Sequence, residues 1–200
     1  MTDTREHIIK TSLLLFLQKS YKEVTMKEIV ENSGLSKGAF YHYFTSKEAL
    51  FKEIAGLFFA MGAIDYSKLN QQSLKAFYTD YLDNTSSTIL KMNEWFGLSE
   101  KHTISFNFFL IMFEAISRFP EFLDLEFQMH TKDVEAWKKV IATARKKKEI
   151  KSKSTDEEIA ELFLYCNDGV FIRYMNTDKS STYRDFLLPA FNTLYNGLKT

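Results

Sequence analysis

The chain has 200 residues with 26 basic and 26 acidic side chains, so its formal net charge at pH 7 is zero. Hydrophobic residues make up 45% of it, enough for one or two small globular domains, while only two prolines and seven glycines favour an all-helical fold. A neutral chain excludes binding to nucleic acid through a bulk positive field. Any phosphate contact must therefore come from a few placed donors, and it should weaken with salt.

The single cysteine, Cys166, excludes an internal disulfide and indicates a reducing compartment. A buried small side chain explains this cysteine more simply than a redox sensor does. The apolar runs at residues 54–64 and 104–113 are shorter than the roughly 20 residues that span a bilayer, and the first residues lack the pattern of a signal peptide. We therefore expect a cytoplasmic protein without membrane contact.

The chain begins with two predicted helices. The first runs from about Arg5 to Ser20, because apolar residues recur there at helical spacing after a capping box of Asp3 and Glu6. Thr25 and Glu28 form the next capping box. A second helix should therefore begin at Thr25.

A glycine turn joins this second helix to a third. Gly34 suits the left-handed position that ends a helix, and Ser36 supplies an oxygen for the next cap, so the turn extends from about Ser33 to Ser36. Thr45 and Glu48 form a further capping box, which starts a fourth helix. These closely spaced starts indicate a compact helix-turn-helix unit.

Basic, hydroxyl and aromatic side chains remain outside on the second and third helices once the apolar positions are assigned to the core. A helix carrying such groups is suited to the DNA major groove. The candidate contacts are Lys27, Ser36, Lys37, Gly38, Ala39, Tyr41, His42 and Tyr43.

Residues 25–50 resemble the DNA-binding domain of the TetR family of bacterial transcription regulators. That domain has a similar capped helix and glycine turn, followed by a Gly-x-x-Tyr-x-x-Phe-x-Ser-Lys-x-x-Leu run. Here the run consists of Gly38, Tyr41, Phe44, Ser46, Lys47 and Leu50. The chain departs from the family at Val24, Val30, Ser33 and Ala39, and Ala39 allows an apolar base contact such as one to a thymine methyl.

The resemblance implies two classes of DNA contact. Phosphates would be bound by Thr25, Lys27, Tyr41, Tyr43 and Lys47. Bases would be read from the leading turns of the third helix, by Ser36, Lys37, Gly38, Ala39 and His42. On spacing alone, each tyrosine is equally explained as a half-buried aromatic side chain and His42 as a solvated one.

The resemblance also implies a helix-turn-helix domain at residues 1–47 and a helical ligand-binding and dimerisation domain at residues 48–200. No strand alternation or repeat occurs in the second part. Helices are predicted there at about Ser46–Ala63, Gln72–Lys91, Ile104–Arg118, Glu121–Lys148, Thr155–Asn176 and Tyr183–Leu198.

This second part is rich in aromatic residues. In the resembled family these helices enclose an effector pocket, which implies a small apolar or aromatic effector. The candidate ligand contacts are Phe59, Phe77, Tyr78, Tyr81, Phe109, Met112, Phe113 and Trp137. Aromatic residues at helical spacing usually form a plain core, and this alternative stays open for each of them. Asn107 and His130 are further candidate polar groups.

The last two predicted helices, Thr155–Asn176 and Tyr183–Leu198, have apolar faces too wide to be covered by one chain. In the resembled family they form a homodimer interface, and a twofold protein reads a palindromic operator with half-sites about 34 to 36 Å apart. The basic run at residues 145–148 is interpreted as a solvated helix end rather than a DNA-binding patch.

An enzyme finds little support in the sequence. There is no Gly-x-Ser-x-Gly motif or phosphate-binding glycine loop, and the four histidines lack carboxylates at metal-ligand spacing, so no catalytic residue, metal or cofactor is predicted. Two functions remain. One is a ligand-responsive regulator that represses transcription by binding double-stranded operator DNA, and the other is an effector-independent architectural or cell-division regulator on the same fold.

Overall fold

The computed structural model describes residues 4–97, 106–175 and 182–199. These ranges contain helices and no strand, which confirms the prediction of an all-α fold. The α-helices are α1 (Thr4–Gln18), α2 (Met26–Ser33), α3 (Lys37–Tyr43), α4 (Lys47–Gly62), α5 (Leu74–Trp95), α6 (Phe106–Arg118), α7 (Pro120–Lys146), α8 (Asp156–Met175) and α9 (Tyr183–Gly197), with a 3-10 turn at Tyr66–Lys68. Within the same ranges, no helix has both the length and the apolar character needed to cross a membrane.

Helix bounds differ from the predicted ones mainly at α5. This helix continues to Trp95, beyond the predicted end at Lys91. The added turn is held by apolar burial that the local pattern did not reveal, since Met92 and Phe96 are 8% and 2% exposed. Four predictions fall outside the residues and side chains that the structure describes. They are the capping residue Asp3, the helix start at Ile104, the candidate polar group Asn107 and the helix end at Asn176.

Packing divides the chain into two compact units. The first comprises residues 1–62 and 92–124, and the second comprises residues 63–91 and 125–200. The predicted boundary between residues 47 and 48 separates a DNA-binding domain from a ligand-binding and dimerisation domain. It is a functional boundary, and it stays a prediction. By packing, α4 belongs with the first three helices, because it contacts both α1 and α6 within the first unit.

The start of α4 corrects one predicted cap. The Ser46 hydroxyl accepts the Ala49 amide at 3.1 Å, and the Ser46 carbonyl accepts the Leu50 amide at 3.2 Å. Ser46 is therefore the N-cap residue in place of Thr45. The serine, one residue later than the predicted cap, reaches the exposed amide of the first turn.

The second unit is built around an aromatic core. Trp137 of α7 is fully buried, with its ring 5.0 Å from Phe77 of α5 and 4.9 Å from Phe163 of α8. Phe191 of α9 lies 4.9 Å from Phe163, so four helices meet in one set of rings. These spacings are those of favourable aromatic pairs.

The connection after α7 is fixed by charged side chains. Glu149 accepts hydrogen bonds from the Ser73 hydroxyl at 2.8 Å and the Leu74 amide at 3.0 Å, which satisfies the first turn of α5. Arg145 is only 29% exposed, donates to the Ser152 and Ser154 carbonyls and pairs with Asp156. The prediction of a solvated helix end is thus wrong for Arg145, because the following loop folds back onto its guanidinium.

Candidate DNA-binding surface and effector cleft

Local capping fixes α2 and α3. The Thr25 hydroxyl accepts the Glu28 amide at 3.2 Å, and the Ser36 hydroxyl accepts the Ala39 amide at 3.2 Å. Gly34 lies between the helices with φ of 68°, the left-handed conformation that favours glycine, and its amide bonds the Glu31 carbonyl. The turn therefore forms as the sequence predicts.

The orientation of α3 follows from two buried phenylalanines. Phe40 and Phe44 are 0% and 3% exposed, and their spacing of four residues places both on the inner side of α3. The rest of the helix is turned to solvent. Nine of the ten predicted DNA contacts are exposed, namely Thr25, Lys27, Ser36, Lys37, Gly38, Ala39, Tyr41, His42 and Tyr43.

The exposed groups differ in how far they are already engaged. The ammonium of Lys27 is 3.8 Å from Glu31, and its side chain is 85% exposed. The ammonium of Lys37 lies 5.9 Å from the ring centre of Tyr41. Thr25 and Ser36 use their oxygens as caps, which leaves each hydroxyl proton available to a phosphate oxygen.

Lys47 differs from the other nine predicted contacts, because its side chain is half-buried. Its ammonium donates to the Tyr21 carbonyl at 2.7 Å and to the Val24 carbonyl at 2.8 Å. Burial and the charge of Arg118 lower the pKa of this lysine. In the described structure Lys47 fastens α4 to the segment that precedes α2, and its contact with a phosphate stays a prediction.

Tyr21 was missed by sequence reasoning. Its ring lies 4.3 Å from the Lys47 ammonium and 4.6 Å from the Arg118 guanidinium, and 4.7 Å from the Phe51 ring. Burial, followed by the charge of Glu48, raises the pKa of its hydroxyl. Tyr21 thus joins the loop before α2 to α4 and to the end of α6. Only the tertiary fold brings these residues together, so no local signal could have identified them.

The predicted ligand contacts fall into both packing units. Phe77, Tyr78, Tyr81 and Trp137 belong to the second unit, are at most 4% exposed, and pack on one another as core. The other four, Phe59, Phe109, Met112 and Phe113, belong to the first unit, and Phe113 is 59% exposed. The four residues of the second unit therefore pack as a plain core, which is the alternative to a ligand contact.

A cleft of about 540 Å³ opens in the second unit beside α7. Its apolar lining includes Ala63, Ile64, Met129 and Ala136. Its polar lining consists of Tyr66, Ser67, Gln71, Lys132, Asp133, Glu135 and Lys139. Its volume is that of a typical small-molecule site.

Buried polar groups lie in the lining of this cleft and directly behind it. The Tyr66 hydroxyl and the Trp137 indole nitrogen are buried without a hydrogen bond of good geometry, although Trp137 and Asp133 both lie close enough to this hydroxyl to affect its pKa. Burial raises the pKa of the Asp133 carboxyl to about 6, and it raises the pKa of the Tyr66 hydroxyl as well. Of the predicted ligand contacts, Trp137 is the one with a polar atom in this group. Sequence reasoning missed Tyr66 and Asp133, since neither carries a motif.

Comparison with known proteins first concerns the DNA-binding surface. Residues 8–54 match the family described as bacterial regulatory proteins, tetR family. Over 50 residues the chain is 52% identical to YerO of Bacillus subtilis (strain 168), an uncharacterized HTH-type transcriptional regulator, but this stretch is 25% of this chain and 17% of that relative. The HTH-type transcriptional repressor NemR of Escherichia coli is 45% identical over 47 residues, which are 24% of each chain.

The comparison with solved structures extends over the whole chain. The crystal structure of the MbdR regulator from Azoarcus sp. CIB superposes with a TM-score of 0.71, and the match covers 98% of this chain and 99% of that one. The sequence identity is 18%, so the likeness is one of fold.

Proposed function

Because the chain belongs to the TetR family of bacterial regulatory proteins, we propose that it is a ligand-responsive transcriptional repressor. It binds a palindromic operator as a homodimer, and a small apolar or aromatic effector releases it. The exposed donor set on α2 and α3 is the observation that carries the DNA-binding part. The similarity of this domain to NemR, a transcriptional repressor, supports repression as the sign of regulation.

The contacts divide by what each group can recognise. Thr25, Lys27, Tyr41 and Tyr43 offer hydroxyl and ammonium donors for phosphates, which fix position without reading sequence. Ser36, Lys37, Gly38, Ala39 and His42 lie at or on α3, where base edges are read. Lys37 suits a guanine, and Ala39 suits a thymine methyl.

The effector acts through the end of α4. Two lining residues of the cleft, Ala63 and Ile64, directly follow the last residue of this helix, Gly62. Lys47, the first residue of α4, holds the loop before α2 through its two carbonyl bonds. An effector that favours the released state by about 1.4 kcal/mol lowers operator affinity tenfold.

Dimerisation uses the last two helices. On α8, Leu162, Tyr165 and Ile172 are 50%, 55% and 45% exposed, an apolar surface that a second copy would cover. We expect light scattering to give a dimer at micromolar concentration, and Leu162→Glu to shift it toward monomer and to lose tight operator binding. A monomeric wild-type protein would contradict the twofold arrangement.

The effector-independent regulator keeps one observation in its favour, because the predicted pocket aromatics of the second unit are packed as core. The half-buried Asp133 in the lining of the cleft, which forms no ion pair with a lysine or arginine among the described residues, favours the ligand-responsive protein instead. The two functions separate on one measurement, since only the ligand-responsive regulator loses operator DNA when a compound fills the cleft.

Selection of bound duplexes from a random pool tests the DNA-binding proposal. We expect a palindrome whose half-site centres are about 34 to 36 Å apart. On that duplex, Lys27→Ala should weaken binding to all sequences and reduce the salt dependence, whereas Lys37→Ala should relax the preference at single base positions. Lys151→Ala, an exposed lysine of the second unit, is the matched control. A pool without symmetry, or affinities unchanged by both variants, would refute the assigned surface.

A further inference from the structure

The cleft beside α7 has walls and an inner end of different chemistry. Met129, Asp133 and Ala136 follow one another at intervals of four and three residues on α7, which puts them on the same side of that helix. Ile64, Met129 and Ala136 provide apolar walls. Asp133 and Tyr66 line the same cleft, and they provide a carboxylate and a hydroxyl at its inner end.

A desolvated carboxylate without an oppositely charged partner is costly. Removing an ionised group from water is expensive unless the group is paired and hydrogen-bonded. Burial is the largest cause that raises the pKa of Asp133, and the neighbouring Tyr66 hydroxyl only partly offsets it. An occupant of the cleft that donates to Asp133 would recover part of this cost.

The charges around the cleft select the sign of that polar group. Within the described residues, Asp133 forms no ion pair with a lysine or arginine, whereas the rim residue Glu135 is paired with Lys138 at 2.8 Å. Lys132 and Lys139 are exposed at the rim, where water screens them. The Asp133 carboxylate is therefore the desolvated charge that lacks an oppositely charged partner, and a positively charged group would pair with it.

Neighbouring groups modulate this charge without neutralising it. Burial raises the pKa of Asp133 most, and the Tyr66 hydroxyl lowers it. His130 on α7 also lowers this pKa, whereas Asp168 on α8 and Glu126 on α7 raise it. Two of these three neighbours are acidic. The pKa of about 6 leaves Asp133 mainly ionised at neutral pH.

We propose that the effector is an organic cation, with an apolar body held between Ile64, Met129 and Ala136 and a protonated nitrogen that donates to the Asp133 carboxylate. This inference rests on the proposed function and names the chemical class of its effector. Tyr66 lines the same cleft, and its hydroxyl oxygen can accept a second hydrogen bond from that nitrogen.

A series of probes with one shape and three charges tests the class. Phenylbutylamine is a cation at neutral pH, phenylbutanol is neutral and phenylbutyrate is an anion. Titration calorimetry on the full chain should give an affinity for the amine at least tenfold higher than for the alcohol, because a hydrogen bond between charged partners is worth about 1.5 to 3 kcal/mol. The anion should bind most weakly.

Two variants locate the effect. Asp133→Asn should reduce the preference for the amine over the alcohol to less than about twofold. Glu157→Gln removes an equal charge from an exposed position on α8 outside the lining and should leave the preference intact. The amine should also release operator DNA from the wild-type protein and not from Asp133→Asn.

Other outcomes would overturn the inference. Equal affinity for amine and alcohol, or absence of binding up to millimolar concentration, would mean that the inner end of the cleft holds water only. A preference for the amine that survives Asp133→Asn would place the cation at another group. Tightest binding of the anion would assign recognition to Lys132 and Lys139 instead. Failure of the proposed function is seen separately, as a wild-type protein that selects no operator without any ligand.

Discussion

The DNA-binding surface of α2 and α3 and the cleft beside α7 use polar groups in opposite ways. On the surface, donors such as Lys27 and Lys37 stand in water and lose little while they have no partner. In the cleft, the Asp133 carboxylate is half-buried, and among the described residues it has no ion pair with a lysine or arginine. A charged group without a partner is thus inexpensive on the surface and costly in the cleft, which suits a surface that waits for DNA and a cleft that depends on its ligand.

The largest expected difference between the two regions is in stability. Phe163→Ala removes a ring that packs on Trp137, Phe191 and Tyr78, so it should cost about 3 to 5 kcal/mol of unfolding free energy. Tyr41→Ala, at a side chain 36% exposed, should cost under about 1 kcal/mol and lose operator affinity instead. Urea unfolding at fixed protein concentration measures the first effect, and a gel shift measures the second. Similar losses of stability in the two variants would erase the distinction between core and contact surface.

This difference also explains what the sequence could predict. The caps at Thr25 and Ser36 and the turn at Gly34 depend on residues three or four positions apart, so their pattern is visible along the chain. The group of Tyr66, Asp133 and Trp137 joins a turn to a helix more than sixty residues away. No spacing rule relates those positions. Aromatic residues at helical spacing are visible along the chain, but that spacing does not separate rings that pack as core from groups that line a cleft.

Lys47 illustrates the same limit inside the well-predicted region. The motif correctly marks the start of α4, since Ser46 caps this helix and Lys47 begins it. Its bonds to the Tyr21 and Val24 carbonyls are long-range contacts, which the motif does not encode.

A charged interior group offers the next test. Glu149 accepts bonds from the Lys75 amide at 3.1 Å and the Tyr195 hydroxyl at 3.0 Å, besides those from Ser73 and Leu74. Burial alone would raise the pKa of Glu149, but these bonds outweigh it and lower the pKa below its usual value. Glu149→Gln should cost about 2 kcal/mol at pH 7, because several donors lose a charged acceptor.

The pH dependence of that loss follows from the direction of the shift. A carboxyl whose folded pKa lies below its unfolded pKa stabilises the protein fully above the unfolded value, and this stability is lost as the pH falls through the folded value. The cost of Glu149→Gln should therefore shrink below about pH 4. Melting temperatures between pH 3 and pH 7, with the exposed Glu157→Gln as control, measure it. A cost independent of pH would assign the effect to packing rather than charge.

Gly34→Ala tests the turn of the DNA-binding surface. A Cβ at this position would meet no atom within 4 Å, so the expected loss of about 1 to 2 kcal/mol comes from the left-handed backbone alone. Gly56→Ala in α4 is the matched control, because its Cβ also meets nothing but its backbone is helical, and it should stabilise by about 0.5 to 1 kcal/mol. Thermal unfolding with operator titration measures both. Equal effects of the two substitutions would show that φ at residue 34 does not limit the surface.

The smallest effect is expected where the structure uses the same conformation without a glycine. Lys148 has φ of 58°, and the Glu149 amide bonds the Ala144 carbonyl at 2.8 Å, which closes the end of α7 as Gly34 closes the end of α2. Lys148→Gly should therefore gain about 0.5 to 1 kcal/mol, since removal of the Cβ strain exceeds the added chain entropy. Lys146→Gly, at the last helical residue, should instead lose stability. A loss in both variants would mean that the lysine side chain contributes more at residue 148 than its backbone strain costs.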